Sequence, residues 1–160
     1  MMMQRTKPVP KIKIVKQKKE RTKTYKVPLK KPRKQKSPRT KLRKACDDAW
    51  SAYIHTRDVF CQKCGSNKML SAHHIIHRIH LSLRWEEENG ILLCFHCHIQ
   101  VAHKDPTLFT DWLVSFKGKD FVDNLIVRSS QSVKFSNQDL TDKLEYLRSK
   151  TRELNDKVSV

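Results

Sequence analysis

Two cysteine pairs, Cys61-x-x-Cys64 and Cys94-x-x-Cys97, stand 29 residues apart. A two-residue gap lets both sulfurs of a pair turn onto one ion, and two such pairs supply the four thiolates of a tetrahedral zinc site. Gly65, directly after the first pair, suits the tight turn of a knuckle. Between the pairs lies Ser71-Ala72-His73-His74-Ile75. Asn89 follows His74 by fifteen residues, and His98 sits immediately behind Cys97. Phosphodiester hydrolysis needs an activated water, a cation on the phosphate oxygens and rigid positioning. An imidazole titrates near working pH, so His74 is the expected general base. His73 and His98 are the expected ligands of one divalent ion. Asn89 is expected to orient the loop carrying His74 by bonding its backbone. Arg78, between His74 and Asn89, is the expected phosphate contact, with Arg84 the other arginine of that stretch.

The run His73-His74 … Asn89 … Cys94-x-x-Cys97-His98 resembles the HNH nucleases, the ββα-metal fingers, in their zinc-knuckle variety. His73 and His74 are neighbours, so on a strand they point to opposite faces. The resemblance implies a bend at the strand end that brings the two together. Two flanking stretches narrow it: Ala52-x-Ile54-x-x-Arg57-Asp58 and Leu83-Arg84-Trp85-Glu86-Glu87-Glu88-Asn89 look like phage recombination nucleases of the NinG/Rap type. This implies a DNA endonuclease linked to phage recombination, acting in the host cytoplasm on DNA that includes branched forms. Some HNH nucleases carry a third metal ligand four residues after the last motif histidine. Here that residue is Ala102, and His103 lies one further on. Five residues is a poor match to one α-helical face. The expectation is therefore a two-histidine site completed by water, suiting Mg²⁺ or Mn²⁺. His103 would join only if the helix ended early, as Pro106 permits.

These residues need elements to hold them. Leu42, Cys46, Trp50 and Tyr53 recur at helical spacing and predict a helix ending near Asp58. Cys46 belongs to that stripe and is expected in the core, not on a metal. After Pro106, Phe109, Trp112, Leu113 and Phe116 predict a short helix broken by Gly118. Phe121, Val122, Leu125 and Ile126 predict another. Ser136-x-x-Asp139 has the form of a capping box. It opens a stripe of Leu140, Leu144, Leu147, Thr151 and Leu154, expected to pack on the body, with a homodimer through it as the alternative. The fold class expected is α+β: a ββα-metal core with a four-cysteine zinc knuckle and flanking helices over residues 45–160.

Charge divides the chain. Its 160 residues carry 34 Lys and Arg against 16 Asp and Glu, and residues 1–44 hold 19 of the basic residues with one acid, Glu20. The remainder is neutral. A proline-containing, one-signed segment cannot bury enough apolar surface to offset its ordering entropy, so a disordered arm over 1–44 that binds DNA phosphates is expected. No apolar run approaches a membrane span. No secretory signal is readable, which favours thiols and metal ligands over disulfides. Three glycines leave no glycine-rich nucleotide loop. The rival readings are a zinc-stapled DNA-binding module without catalysis, and a homing or packaging-associated HNH nuclease.

Overall fold

In the computed structural model, which describes residues 35–158, the first helix opens on a serine cap. The Ser37 hydroxyl accepts the Thr40 backbone N–H at 3.2 Å, and Pro38 occupies the first turn, where its missing N–H costs nothing. Helix α1 runs Pro38–Asp58 and buries Cys46, Trp50, Tyr53 and Ile54. The arm boundary expected at residue 44 thus falls inside a helix: cap and proline override the basic composition of residues 38–44. The rest of the expected disordered arm, residues 1–34, lies outside the described residues.

Strands β1 (Leu70–His74) and β2 (Gly90–Cys94) pair antiparallel, with Leu70 opposite Cys94 and His74 opposite Gly90. Every residue of β2 is buried. Alternation sends Leu92 into one core and Ile91 and Leu93 into another. The Leu92 core lies against α1 and α4 (Asn137–Val158), with Trp85, Leu140, Leu144 and Leu147. The second core joins Ile91 and Leu93 to Cys61, Cys97, Ala102, Phe109, Leu113 and Val122. The two-stranded sheet is therefore the middle layer between a helix pair and a knuckle-plus-helix layer. This is the α+β architecture expected.

The capping box forms as read, with the Asp139 N–H on Ser136 Oγ at 3.1 Å and the Ser136 N–H on the Asp139 carboxylate at 2.6 Å. Leu140, Leu144 and Leu147 are buried within the chain, so the stripe proposed for a homodimer is already covered. A π-helix, His96–His103, follows β2. Helix α2 (Pro106–Lys117) starts on the Asp105 cap, breaks at Gly118 with φ +91°, and gives way to α3 (Lys119–Ser129). Among the described residues no helix is long and apolar enough to cross a membrane.

Gly90 is where α1 meets the sheet. A Cβ there would lie 2.3 Å from Ile54 Cδ1 and 2.6 Å from Trp50 Cζ2. Gly90→Ala is therefore expected to destabilise the fold by about 1–3 kcal/mol through overpacking. A thermal melt checks this, and an unchanged midpoint would contradict the packing described.

Candidate functional site

The four expected zinc ligands converge. The sulfurs of Cys61, Cys64, Cys94 and Cys97 all lie within 4.8 Å of one another, with Cys64 and Cys94 at 3.6 Å. None is in a disulfide. Tetrahedral zinc with Zn–S near 2.3 Å needs sulfurs roughly 3.8 Å apart, so an all-thiol set of this size fits zinc. Gly65 turns the knuckle at φ +74°, and its N–H bonds the Cys61 carbonyl at 2.8 Å. The Gln62 N–H on the Leu92 carbonyl at 2.9 Å ties the knuckle to β2. Burial pushes the Cys61 thiol up, but backbone N–H groups of Cys94, Cys64 and Lys63 aimed at its sulfur more than reverse this, to about 7.

A second cluster lies one residue away along the chain. Nitrogens of His73, His98 and His103 all lie within 4.8 Å of one another, and Nε2 of His98 is 3.0 Å from Nε2 of His103. His103, which an α-helix would have turned away, therefore stands beside the two expected ligands. A π-helix bonds residue i to i+5, a wider turn that brings residues five apart onto the same side. The same register pairs Cys97 with Ala102 on the buried side and His98 with His103 on the other. Burial, then the nearby His98 and His103, hold the His73 imidazole down to about 3. Burial, then His103, lowers His98 as well. His73 and His98 are therefore neutral at pH 7, the form in which an imidazole binds a cation. An all-imidazole set fits a first-row transition ion better than Mg²⁺.

His74 points to the other face of the sheet, as strand alternation requires. Its ring stacks on Trp50, centroids 3.9 Å apart and planes 15° apart. Trp50 is itself held by Nε1–H on the Glu86 carbonyl at 2.9 Å. His74 Nε2 lies 2.9 Å from the Arg84 carbonyl. A carbonyl only accepts, so the neutral ring carries its proton on Nε2 and its lone pair on Nδ1. Burial lowers its pKa, against the opposing bond to Arg84. Both histidines nevertheless border one pocket of about 320 Å³, lined by Ala72, His73, His74, His77, Arg78, His98 and His103. No bend beyond the end of β1 is needed.

Asn89 is fully buried. Its Oδ1 accepts the Ile76 N–H at 2.7 Å, and its Nδ2 donates to the carbonyls of Ile76 at 2.9 Å and Leu83 at 3.1 Å. It closes the base of the 75–89 loop, which carries Arg78 to the pocket. Arg78 is exposed there. Arg84 is not free for phosphate, since Nε and Nη2 hold the Asp47 carboxylate at 2.8 and 2.7 Å. His77 also lines the pocket and was given no role from the sequence. It sits in an irregular loop, where no periodicity reports direction.

The flanking stretches meet each other. Arg57 donates to the carbonyls of Glu87 at 2.7 Å and Gly90 at 2.8 Å, and it pairs with Asp58. The Asp58 carboxylate accepts the Leu92 N–H at 2.9 Å. The Tyr53 and Tyr146 hydroxyls both donate to the Glu87 carboxylate, at 2.5 and 2.6 Å. The end of α1 thus clamps the start of β2 and the loop before it.

Compared with known families, residues 61–104 match the model of the HNH endonucleases. That span runs from the first knuckle cysteine to just past His103, and so holds both clusters, His74 and Asn89. No curated protein and no solved structure matches the chain.

Proposed function

We propose that this HNH-type segment makes the chain a metal-dependent DNA endonuclease, serving phage recombination. The observation that carries the reading is one pocket bordered by three clustered imidazoles, a histidine of defined tautomer and an exposed arginine. His74 Nδ1 takes a proton from the attacking water, while Nε2–H stays on the Arg84 carbonyl. Arg78 holds a phosphate oxygen. Asn89 keeps the loop in register and touches no substrate. His73, His98 and His103 would hold the divalent ion, which supplies Lewis-acid stabilisation of the phosphate oxygens. The four-cysteine knuckle would hold zinc for structure alone. The basic residues of the first 44 add sequence-independent affinity for DNA. The recombination role rests on the flanking resemblance of Ala52–Asp58 and Leu83–Asn89 alone.

The test is cleavage by the purified full-length protein of linear duplex, single-stranded, flap and four-way-junction DNA, with Mg²⁺, Mn²⁺, Ni²⁺, Zn²⁺ or chelator. Cleavage that needs a divalent ion and favours branched DNA is expected. Binding without strand scission under every ion would overturn the enzymatic reading in favour of a DNA-binding module. Preference for unbranched duplex would overturn the recombination role. The third imidazole also ranks the ions: Mn²⁺ and the later transition ions should bind more tightly than Mg²⁺.

His103→Ala is expected to raise the Mn²⁺ concentration needed for half-maximal cleavage by at least about tenfold, since even outer-shell losses at metal sites cost that much. Calorimetric titration of Mn²⁺ checks it. Unchanged affinity would restore a two-histidine site.

A further inference from the structure

Helix α2 carries a row of rings that starts at the histidine cluster and ends in solvent. The His73 ring meets Phe109 edge-on, centroids 5.2 Å apart. Phe109 meets Trp112 at 5.5 Å, and Trp112 stacks on Phe116 at 5.1 Å with planes 14° apart. Spacings of three and four place residues 109, 112 and 116 on one helical face. Exposure rises along the row: Phe109 is 5% exposed, Trp112 is half-buried and Phe116 is 43% exposed. Core packing accounts for Phe109. It holds the inner edge of Trp112 as well, but not Phe116, an exposed ring that extends the stack beyond the core.

Each outer ring has an ammonium beside it. Lys63 Nζ lies 5.0 Å from the Trp112 centroid, and Lys117 Nζ lies 4.8 Å from that of Phe116. Neither lysine is ion-paired with an acid among the described residues. Lys63 belongs to the knuckle, between Cys61 and Cys64, so knuckle and helix build the surface together. The only carboxylate of α2 is Asp111, about 100° around the helix from Trp112. Stacked aromatic faces flanked by unpaired cations are what an unpaired strand requires: every base has a π-face to stack, and each phosphate has a charge to meet. A duplex keeps its base faces stacked internally and gains only the charge.

We infer that Trp112 and Phe116, with Lys63 and Lys117, form a platform that binds an unpaired DNA strand beside the catalytic pocket. The inference rests on the endonuclease reading in taking that strand as part of the substrate. The ring contacts run from His73 through buried Phe109 to Trp112 and Phe116, so helix α2 links the platform to the histidine cluster.

The experiment measures binding of full-length protein to dye-labelled oligothymidylate and to a hairpin duplex of equal length by fluorescence anisotropy. No divalent ion is added, and the salt is high enough to screen the basic residues of the first 44. Phe116→Leu keeps apolar bulk at an exposed position and loses the ring. It is expected to weaken oligothymidylate binding by about five- to a hundredfold while leaving the hairpin within about twofold. Phe116→Tyr, which keeps the ring, is expected to bind as the parent does. Lys117→Gln should lower the single-strand salt slope by about 0.7. Unchanged oligothymidylate binding in Phe116→Leu, or equal losses on both probes, would overturn the platform. Tighter binding of oligouridylate than of oligothymidylate would overturn its assignment to DNA. Because this assay needs no cleavage, the two readings fail separately. A protein that cuts nothing yet loses single-strand binding with Phe116→Leu retains the platform and loses the endonuclease. A protein that cuts DNA while Phe116→Leu binds as before retains the endonuclease and loses the platform.

Discussion

Replacing His74 with alanine is expected to slow DNA cleavage by about 10²–10⁴-fold, the usual cost of losing a general base. DNA affinity and zinc content should stay near parental values, because His74 belongs to neither candidate metal cluster. The base form is the neutral ring, present above the folded-state pKa and lost below it. Burial lowers that pKa from the ordinary histidine value of 6.5. The parent's rate should therefore hold as pH falls through 6.5 and drop only at more acid pH. In His74→Ala that acid limb should be absent from the residual rate. Single-turnover cleavage across pH, with metal saturating, measures both. Parental rates in His74→Ala would transfer the role to His77, which borders the same pocket.

Cys61→Ser should have the largest effect on the fold. Structural zinc binds small domains with an apparent free energy of about 10–16 kcal/mol, as large as the whole stability of an ordinary domain, about 5–15 kcal/mol. Cys61 is 1% exposed and packs in the core with Ile91, Leu93 and Phe109. Losing one thiolate should therefore remove zinc and cost the knuckle its folded state, rather than shift a melting midpoint by a few degrees. Cys97 and His98 are consecutive on the π-helix, so the histidine cluster should lose cation affinity along with the zinc. The control is Cys46→Ser. Cys46 is equally buried, but its sulfur contacts the Leu140 carbonyl at 3.2 Å and lies in the other core. Elemental analysis should find about one zinc in the Cys46 variant and none in the Cys61 variant. Zinc-free protein that melts like the parent would remove the staple from this account.

Local chemistry was legible along the chain. The cysteine spacing constrains where two sulfurs can turn, whatever surrounds them, and the four do gather. The stripes on α1 and α4 and the box at Ser136 and Asp139 act within one or two turns, and these elements lie where periodicity puts them. The Ser37 cap and Pro38 are local too, and they start α1 within the basic segment. Two features of the site could not be read so. Arg84, like Arg78 in type and loop, is held away from phosphate by Asp47, thirty-seven positions earlier. The lone pair of His74 falls on Nδ1 because of a carbonyl ten residues on, with a Trp50 face beneath the ring.

The sequence by itself determined which groups are present and the short spacings at which they act: four thiols, an HNH-like order of histidines and asparagine, amphipathic helices, and a charge confined to one end. Only the tertiary structure decided that His103 joins His73 and His98. The residues of His96–His103 carry no local mark distinguishing an α-helix from a π-helix. The wider turn satisfies two demands at once, Cys97 with its fellow thiols and Ala102 in the core. Those partners are set by strands and helices distant in sequence, and the register they impose turns residues five apart onto a common face.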